Sequence, residues 1–277
     1  MQTMAGLRAA LVGTATGLAV TLVGVHAYAF LGGLNVQHAP DIPWAPAVAA
    51  PLLWLFWRYV GGWGWPRQTA EWRRRMRRAN PIPRQARGPV LAAGIAGFIF
   101  AGSAMTFGFR LSDLPPDAVR PPPVPVWTLV PAIIMLSAVA GVCEEVGIRG
   151  YVQKPLVEAG FPLAGVLWSA TVFVLLHGNH EWFVAQSGPM FVAAVWYGWY
   201  TARTDSIYPM IMIHALLDVT AFGYLWLLGG PLPASIHQDG LTPAFWLNVA
   251  VSVVSLIVAV ALTARIPPIA GLVTRQG

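Results

Sequence analysis

Apolar residues in this chain form long runs that are separated by short polar connectors. Continuous runs near twenty residues long are typical of transmembrane helices, whereas short alternating segments are typical of membrane barrels. Since no such alternation is present, the runs must satisfy their backbone hydrogen bonds as helices. We predict an all-α polytopic membrane helical bundle of about eight transmembrane helices, with residues 1–277 as a single transmembrane domain. The predicted spans are 7–30, 44–60, 90–109, 126–147, 161–176, 187–201, 207–228 and 243–264.

Composition supports the membrane assignment. Hydrophobic residues make up 56% of the chain and charged residues only 10%, with a mean hydropathy of +0.60. A soluble domain carries about 25% charged residues, so this chain has too few charges to cover a surface that faces water. The single cysteine, Cys143, excludes an internal disulfide and gives no argument for an oxidising compartment.

Positive charge is concentrated between the second and third predicted spans, in residues 63–88. By the positive-inside rule this basic loop is cytoplasmic, and counting spans outward leaves only Arg110 and Arg120 outside, with both termini cytoplasmic. The loop also contains tryptophans, so it either lies on anionic headgroups or serves only as a topology signal. Membrane orientation explains the arginines, and we expect no nucleic-acid partner. Arginine far outnumbers lysine, which indicates a GC-rich coding sequence and favours a bacterial source. Together with the apolar spans, this predicts a multi-pass protein of the plasma (bacterial inner) membrane.

Ionisable side chains inside apolar spans are costly, so each is a candidate for function. The first cluster ends the fourth predicted span, where Glu144 and Glu145 are followed by Arg149. Glu145 and Arg149 have the i, i+4 spacing of a helical ion pair. Glu144 is rotated by about 100° from Glu145, which leaves it available for chemistry while Arg149 holds Glu145.

Two further clusters follow on the next apolar spans. Phe173 precedes His177 by one helical turn, and His214 precedes Asp218 by the same spacing. One membrane histidine often only bonds a neighbouring helix, but three clusters in one chain favour a shared site. If the chain turns at Gly160, Glu144 and His177 lie at similar depths on two antiparallel helices.

A buried carboxylate beside imidazoles is suited to general-base activation of water, and hydrolysis is therefore the expected reaction class. That chemistry requires no cofactor. The same residue types also match a zinc hydrolase, so a zinc ion remains an open alternative, with Glu144, His177, His214 and Asp218 as its ligands. The run after His177 lacks the H-E-x-x-H order of zinc proteases, and we interpret His180 and Glu181 as loop residues.

The three clusters together match the motifs E-E-x-x-x-R, F-x-x-x-H and H-x-x-x-Asn/Asp. They occur in that order at Glu144–Arg149, Phe173–His177 and His214–Asp218. Over residues 130–224 the chain therefore resembles the CPBP family, the CAAX proteases and bacteriocin-processing enzymes, also called the Abi family of intramembrane proteases. Each motif alone is weak, but three in order on successive spans are a specific signal.

The resemblance implies an eight-helix membrane endopeptidase whose catalytic cavity opens toward the cytoplasm. It implies that Glu144 and His177 activate water, while His214 and Asp218 bind or polarise the scissile carbonyl and its oxyanion. Eukaryotic prenyl-protein endopeptidases typically have Asn at the last motif position, where this chain has Asp218. Asp218 is then a protonated donor, a group that orients His214, or a metal ligand.

The sequence therefore predicts an intramembrane endopeptidase with its catalytic core in residues 126–228. Its expected partners are the lipid bilayer and a membrane-associated protein or peptide substrate, lipidated or not. Two other functions remain open: a non-proteolytic membrane scaffold or bacteriocin-immunity protein, and a transporter or proton relay.

Overall fold

A computed structural model describes residues 2–115, 119–178 and 182–267 of the chain. These residues form helices and connecting turns without any strand, as expected of an all-α membrane protein. Two wide π turns, Val146–Val152 and Gly223–Leu227, continue the helices that precede them. The helices are α1 Gln2–His38, α2 Trp44–Val60, α3 Ala70–Arg77, α4 Arg87–Arg110, α5 Val126–Glu145, α6 Gln153–Glu158, α7 Pro162–Leu176, α8 Phe183–Thr204, α9 Tyr208–Phe222, α10 Ile236–Asp239 and α11 Pro243–Arg265.

Each predicted span falls on a helix, but the helices differ in their capacity to cross a membrane. α2 has 17 residues and α7 has 15, both short of the ~20 needed for a span. α8 has 22 residues but is diluted by polar groups. The chain is thus a multi-pass helical membrane protein, and the count of eight spans stays a prediction. Five segments of the described chain are long and apolar enough: Gly6–His38, Arg84–Arg110, Val126–Glu158, Tyr208–Leu227 and Pro243–Arg265.

The chain divides into two compact units, each built from separate stretches of sequence. The first comprises Met1–Ala79, Pro121–Gly165 and Met210–Gly229, and contains α1, α2, α3, α5, α6 and most of α9. The second comprises Asn80–Arg120, Val166–Pro209 and Gly230–Gly277, and contains α4, α8, α10, α11 and most of α7.

In the first unit, α1 packs against the π turn that follows α5 through small residues. A Cβ atom added at Gly17 would lie 2.6 Å from the carbonyl oxygen of Gly147, and one at Gly13 would lie 2.6 Å from that of Tyr151. Thr21 Oγ1 donates to the carbonyl of Cys143 at 3.5 Å. Small residues let membrane helices approach closely, so α1 holds the end of α5 by backbone contact.

The connection from α1 to α2 is fixed by Asn35, which is buried. Its amide nitrogen donates to the carbonyls of Ala39 and Ile42 at 2.7 and 2.9 Å, and its oxygen accepts from the Ala45 amide at 2.9 Å. One side chain therefore satisfies backbone groups at the end of α1 and the start of α2. Pro40 disfavours helical backbone at Ala39, which explains why α1 ends at His38.

The short helix α3 lies within the predicted basic loop and packs on the first unit. Its Met76 is fully buried, and the Met76 carbonyl lies so close to Gly150 that a Cβ there would overlap it. The ring of Trp72 contacts that of Tyr151 edge-on, with centroids 5.0 Å apart. Arg78 Nη1 donates to the carbonyl of Arg149 at 3.3 Å. The loop is thus anchored to the turn that follows α5.

In the second unit, α11 packs mainly on α4, and α8 joins them through neutral hydrogen bonds. Tyr200 donates its hydroxyl to the carbonyl of Val90 at 2.8 Å, and Trp196 Nε1 donates to Thr263 Oγ1 at 3.1 Å. A Cβ at Gly97 would overlap the Trp196 ring, so the large ring fills space that the glycine leaves open.

Candidate active site

The end of α5 carries the two adjacent carboxylates of the first predicted cluster, Glu144 and Glu145. Glu145 is fully buried, and its Oε2 lies 3.4 Å from Nε of Arg149, which is also fully buried. The expected i, i+4 ion pair is therefore present. The π turn that follows α5 holds Arg149, and isolated π turns of this kind frequently occur at functional sites.

His214 on α9 contacts both carboxylates of α5 and a third on its own helix. Its Nδ1 lies 3.0 Å from Oε1 of Glu145, close enough for a hydrogen bond. Its Nε2 lies 3.9 Å from Oε2 of Glu144 and 3.8 Å from Oδ2 of Asp218. Glu144, Glu145, His214 and Asp218 therefore form one cluster within the first unit, with Arg149 behind Glu145.

A glycine on α5 allows this contact between helices. A Cβ at Gly141 would lie 3.0 Å from the carbonyl oxygen of Ile211 and 3.3 Å from Cβ of Ala215. Ile211 and Ala215 flank His214 on α9, and Gly141 lies one turn before Glu145 on α5. A larger residue at position 141 would push the imidazole away from the carboxylates.

Burial makes this cluster electrostatically demanding. Glu145 and Arg149 have no exposed side-chain area, and His214 is 6% exposed. Charges removed from water persist only when they are paired or hydrogen-bonded, and the cluster supplies partners for them. The Glu145 contact at Nδ1 fixes the imidazole and leaves Nε2 directed toward Glu144 and Asp218. That edge is where a reacting group can be bound.

Phe173 and His177 belong to the second unit. Phe173 lies in α7, and His177 lies in the turn just after the end of that helix. The ring nitrogen Nδ1 of His177 is 2.8 Å from the carbonyl oxygen of Phe173, and the two ring centroids are 4.8 Å apart. This contact fixes the orientation of the imidazole relative to its own helix.

Sequence reasoning missed several residues that hold these groups. The indole of Trp182 lies 5.9 Å from the imidazole of His177, centroid to centroid. Thr21 and Arg78 bond the backbone on either side of the carboxylates. No spacing rule connects these positions to the motifs, because their contacts are between distant parts of the chain. Small residues at helical spacing on α1 are the one sequence signal that indicates such close packing.

The described residues contain no group of three or more His, Cys, Asp or Glu side chains arranged to hold a metal ion. The zinc alternative stays a prediction. His180 and Glu181 lie outside the described residues.

Comparison with known proteins gives one match. Residues 125–220 match the family model described as Rce1-like, type II CAAX prenyl endopeptidase Rce1-like. No curated protein and no solved structure matches the chain. The matched segment contains Glu144, Glu145, Arg149, Phe173, His177, His214 and Asp218. The resemblance drawn from the three motifs is thus confirmed: residues 125–220 of this membrane protein are similar to the Rce1-like CAAX endopeptidases of the CPBP family.

Proposed function

We propose that the protein is an intramembrane endopeptidase that hydrolyses a peptide bond near the cytoplasmic end of a membrane-associated substrate. One observation supports this most: a buried imidazole, His214, contacts three carboxylates in the segment that matches the CAAX endopeptidases. Such a cluster suits proton transfer and the stabilisation of developing negative charge. We further propose a multi-pass location in the plasma membrane.

In the proposed reaction, Glu144 is the general base. It removes a proton from water, and the oxygen of that water attacks the scissile carbonyl carbon. Glu144 then returns the proton to the leaving amide nitrogen when the tetrahedral intermediate collapses. We assign His177 to the activation of the same water, as the resemblance of the Phe173–His177 motif implies. These steps use only side chains of the chain, so the proposal requires no cofactor.

In the proposed reaction, His214 and Asp218 stabilise the negative charge that develops on the scissile carbonyl oxygen. With its proton, Nε2 of His214 donates to the oxyanion that forms on the carbonyl oxygen. Asp218, 3.8 Å from Nε2, orients the imidazole, since an ionised carboxylate cannot itself donate to an oxyanion. Glu145 and Arg149 are positioning residues, which fix the imidazole from the Nδ1 side.

An apolar cavity of about 210 Å³ in the first unit supports a substrate with an apolar chain. It lies among α1, α2 and α5, and Cys143, the residue before Glu144, is part of its wall. Leu53 and Phe56 of α2 also line it. Apolar cavities lined in this way bind hydrocarbon groups rather than water. A lipidated protein or peptide is therefore the substrate class that we propose.

The proposal is tested by comparing the termini of membrane peptides in cells that express the native chain or Glu144→Gln at matched abundance. Glutamine keeps the shape of the side chain but cannot accept the proton of water. We expect cleavage to fall by about 10³-fold, so that termini generated by the native chain disappear. Mass spectrometry of membrane fractions identifies these termini and, with them, the substrate.

Glu158→Gln is the matched control, because Glu158 is exposed and pairs only loosely with Arg75 at 3.5 Å. Its peptide profile should equal that of the native chain. Identical profiles for the native chain and Glu144→Gln would exclude proteolysis through this cluster.

A further inference from the structure

Residues 61–78, which run from the end of α2 to the residue after α3, form what we call the basic segment. It has two faces with different surroundings. The inner face is buried against the first unit through Arg73, Met76 and Arg78. Arg73 Nη2 also donates to the carbonyls of Trp63 and Gly64 at 3.3 Å, which folds the segment back on itself. The segment therefore has a fixed orientation, and its outer face is presented as a defined surface.

The outer face combines exposed aromatic rings with exposed guanidinium groups. Trp63 is 54% exposed and Trp65 is 82% exposed. Arg67, Arg74 and Arg75 of the same segment are also exposed, and Arg75 forms an ion pair with Glu158. Two large indoles left in water together with three cations are unusual for a soluble surface. Tryptophan and arginine side by side are typical of the level of lipid headgroups.

The adjoining end of α2 has the same composition. Arg58 lies over the ring of Trp54 with its Cζ 5.4 Å from the centroid, and Arg77 lies over Trp57 at 4.5 Å. Trp54 is itself 57% exposed. α2 is apolar and ends at Val60, which is also the end of the second predicted span, so we infer that the chain leaves the apolar layer close to this point. The basic segment follows directly, so its outer face lies within reach of headgroups.

We propose that the outer face of the basic segment is a binding surface for anionic phospholipid headgroups. The guanidinium groups of Arg67, Arg74 and Arg75 bind the phosphates, since arginine matches phosphate oxygens in geometry and charge. The indoles of Trp63 and Trp65 insert at the headgroup level. Charge complementarity selects an anionic lipid over a neutral one, and the net charge of +6 acts in the same direction.

The proposal is tested with the full chain reconstituted into phosphatidylcholine vesicles that contain phosphatidylglycerol. A fluorophore is attached at Gln68→Cys, an exposed position beside Arg67, and the only other cysteine, Cys143, is buried. Quenching is compared for phosphatidylglycerol and phosphatidylcholine that carry the same nitroxide near the headgroup. We expect phosphatidylglycerol to quench at least about twofold more strongly, and this preference should disappear at high salt.

Two variants that lose the same charge separate local binding from a general charge effect. Arg67→Gln/Arg74→Gln should abolish the lipid preference, whereas Arg8→Gln/Arg265→Gln, which removes two exposed arginines elsewhere, should retain it. Equal quenching by both lipids with the native chain would overturn the proposal and leave the arginines as a topology signal. Equal loss in both variants would overturn it as well. The salt titration needs no arginine variant, so misfolding of such a variant cannot hide the result.

Discussion

The region around α5 and α9 and the region around α4, α8 and α11 both bury polar side chains, but of different kinds. In the second region the buried polar residues are neutral, and several of them form hydrogen bonds across helices. Besides Tyr200 and Trp196, Gln186 donates to the carbonyl of Met105 at 2.9 Å and Asn248 to that of Ser103 at 2.9 Å. In the first region, ionisable side chains contact one another instead.

This difference separates polar groups that join helices from polar groups that do chemistry. A neutral side chain that bonds a backbone carbonyl adds about 0.6 kcal/mol in membrane proteins and leaves no group charged. A buried cluster of carboxylates is costly, and hydrophobic residues of similar volume would often be as stable. We therefore expect substitutions around α5 and α9 to affect activity first, and those around α4, α8 and α11 to affect only stability.

The largest effect is expected for His214→Gln. Glutamine can still bond Glu145 but cannot carry the positive charge that the proposed oxyanion requires. Cleavage of the substrate identified from peptide termini should fall by about 10³-fold. Initial rates with purified native and variant chains measure this loss.

His26→Gln provides the control, because His26 is exposed and bonds only the carbonyl of Leu22 within α1. It should cleave at the native rate. If His214→Gln elutes from a size-exclusion column at the same volume as the native chain, its loss of activity is due to lost chemistry and not to misfolding. A folded His214→Gln chain with full activity would show that the ionisable cluster around α5 and α9 does not carry the reaction.

The next largest effect is expected for Arg149→Met, measured as free energy of unfolding. The substitution leaves Glu145 buried without its cation, which should cost about 3 kcal/mol or more. Arg75→Met removes an arginine from an ion pair of similar distance, 3.5 Å to Glu158, but one that is exposed. That control should change stability by less than about 1 kcal/mol.

The double variant Glu145→Gln/Arg149→Met sharpens the interpretation of this result. It removes both charges, so it should be more stable than Arg149→Met alone. Unfolding in detergent, followed by tryptophan fluorescence, gives all four values. If Arg149→Met lowered the free energy of unfolding no more than Arg75→Met does, burial would not distinguish the two ion pairs.

The sequence predicted those parts of the molecule that depend on local spacing. Hydropathy located a helix at every predicted span, and i, i+4 spacing identified the contacts of Glu145 with Arg149 and of His214 with Asp218. Tertiary packing was not visible. The approach of Gly141 to α9 and the hydrogen bond from Arg78 to the backbone join residues far apart in sequence, and no periodicity encodes them.

The interpretation of the basic loop shows the same limit. Charge counting considers every arginine in residues 63–88 as equivalent, yet Arg73 and Arg78 are buried while Arg67 and Arg74 are exposed. Two arginines therefore help to fold the segment, and the others remain available to a partner. Only the packing of α3 on the turn after α5 makes this distinction.

The smallest effect is expected for Tyr200→Phe, which tests the other side of the comparison. The variant loses the hydrogen bond from the buried hydroxyl to the carbonyl of Val90, 2.8 Å away, and keeps the ring that stacks on Trp196. The free energy of unfolding should fall by about 0.6 kcal/mol, since one neutral hydrogen bond between membrane helices is lost without a change in packing. Cleavage by the variant should stay at the native rate. Tyr59→Phe removes a hydroxyl from an exposed residue and keeps the ring that lies beneath Arg73, so it should change neither quantity. If Tyr200→Phe lowered cleavage without lowering stability, neutral bonds among these helices would contribute to the reaction, and the division between packing and chemistry would be wrong.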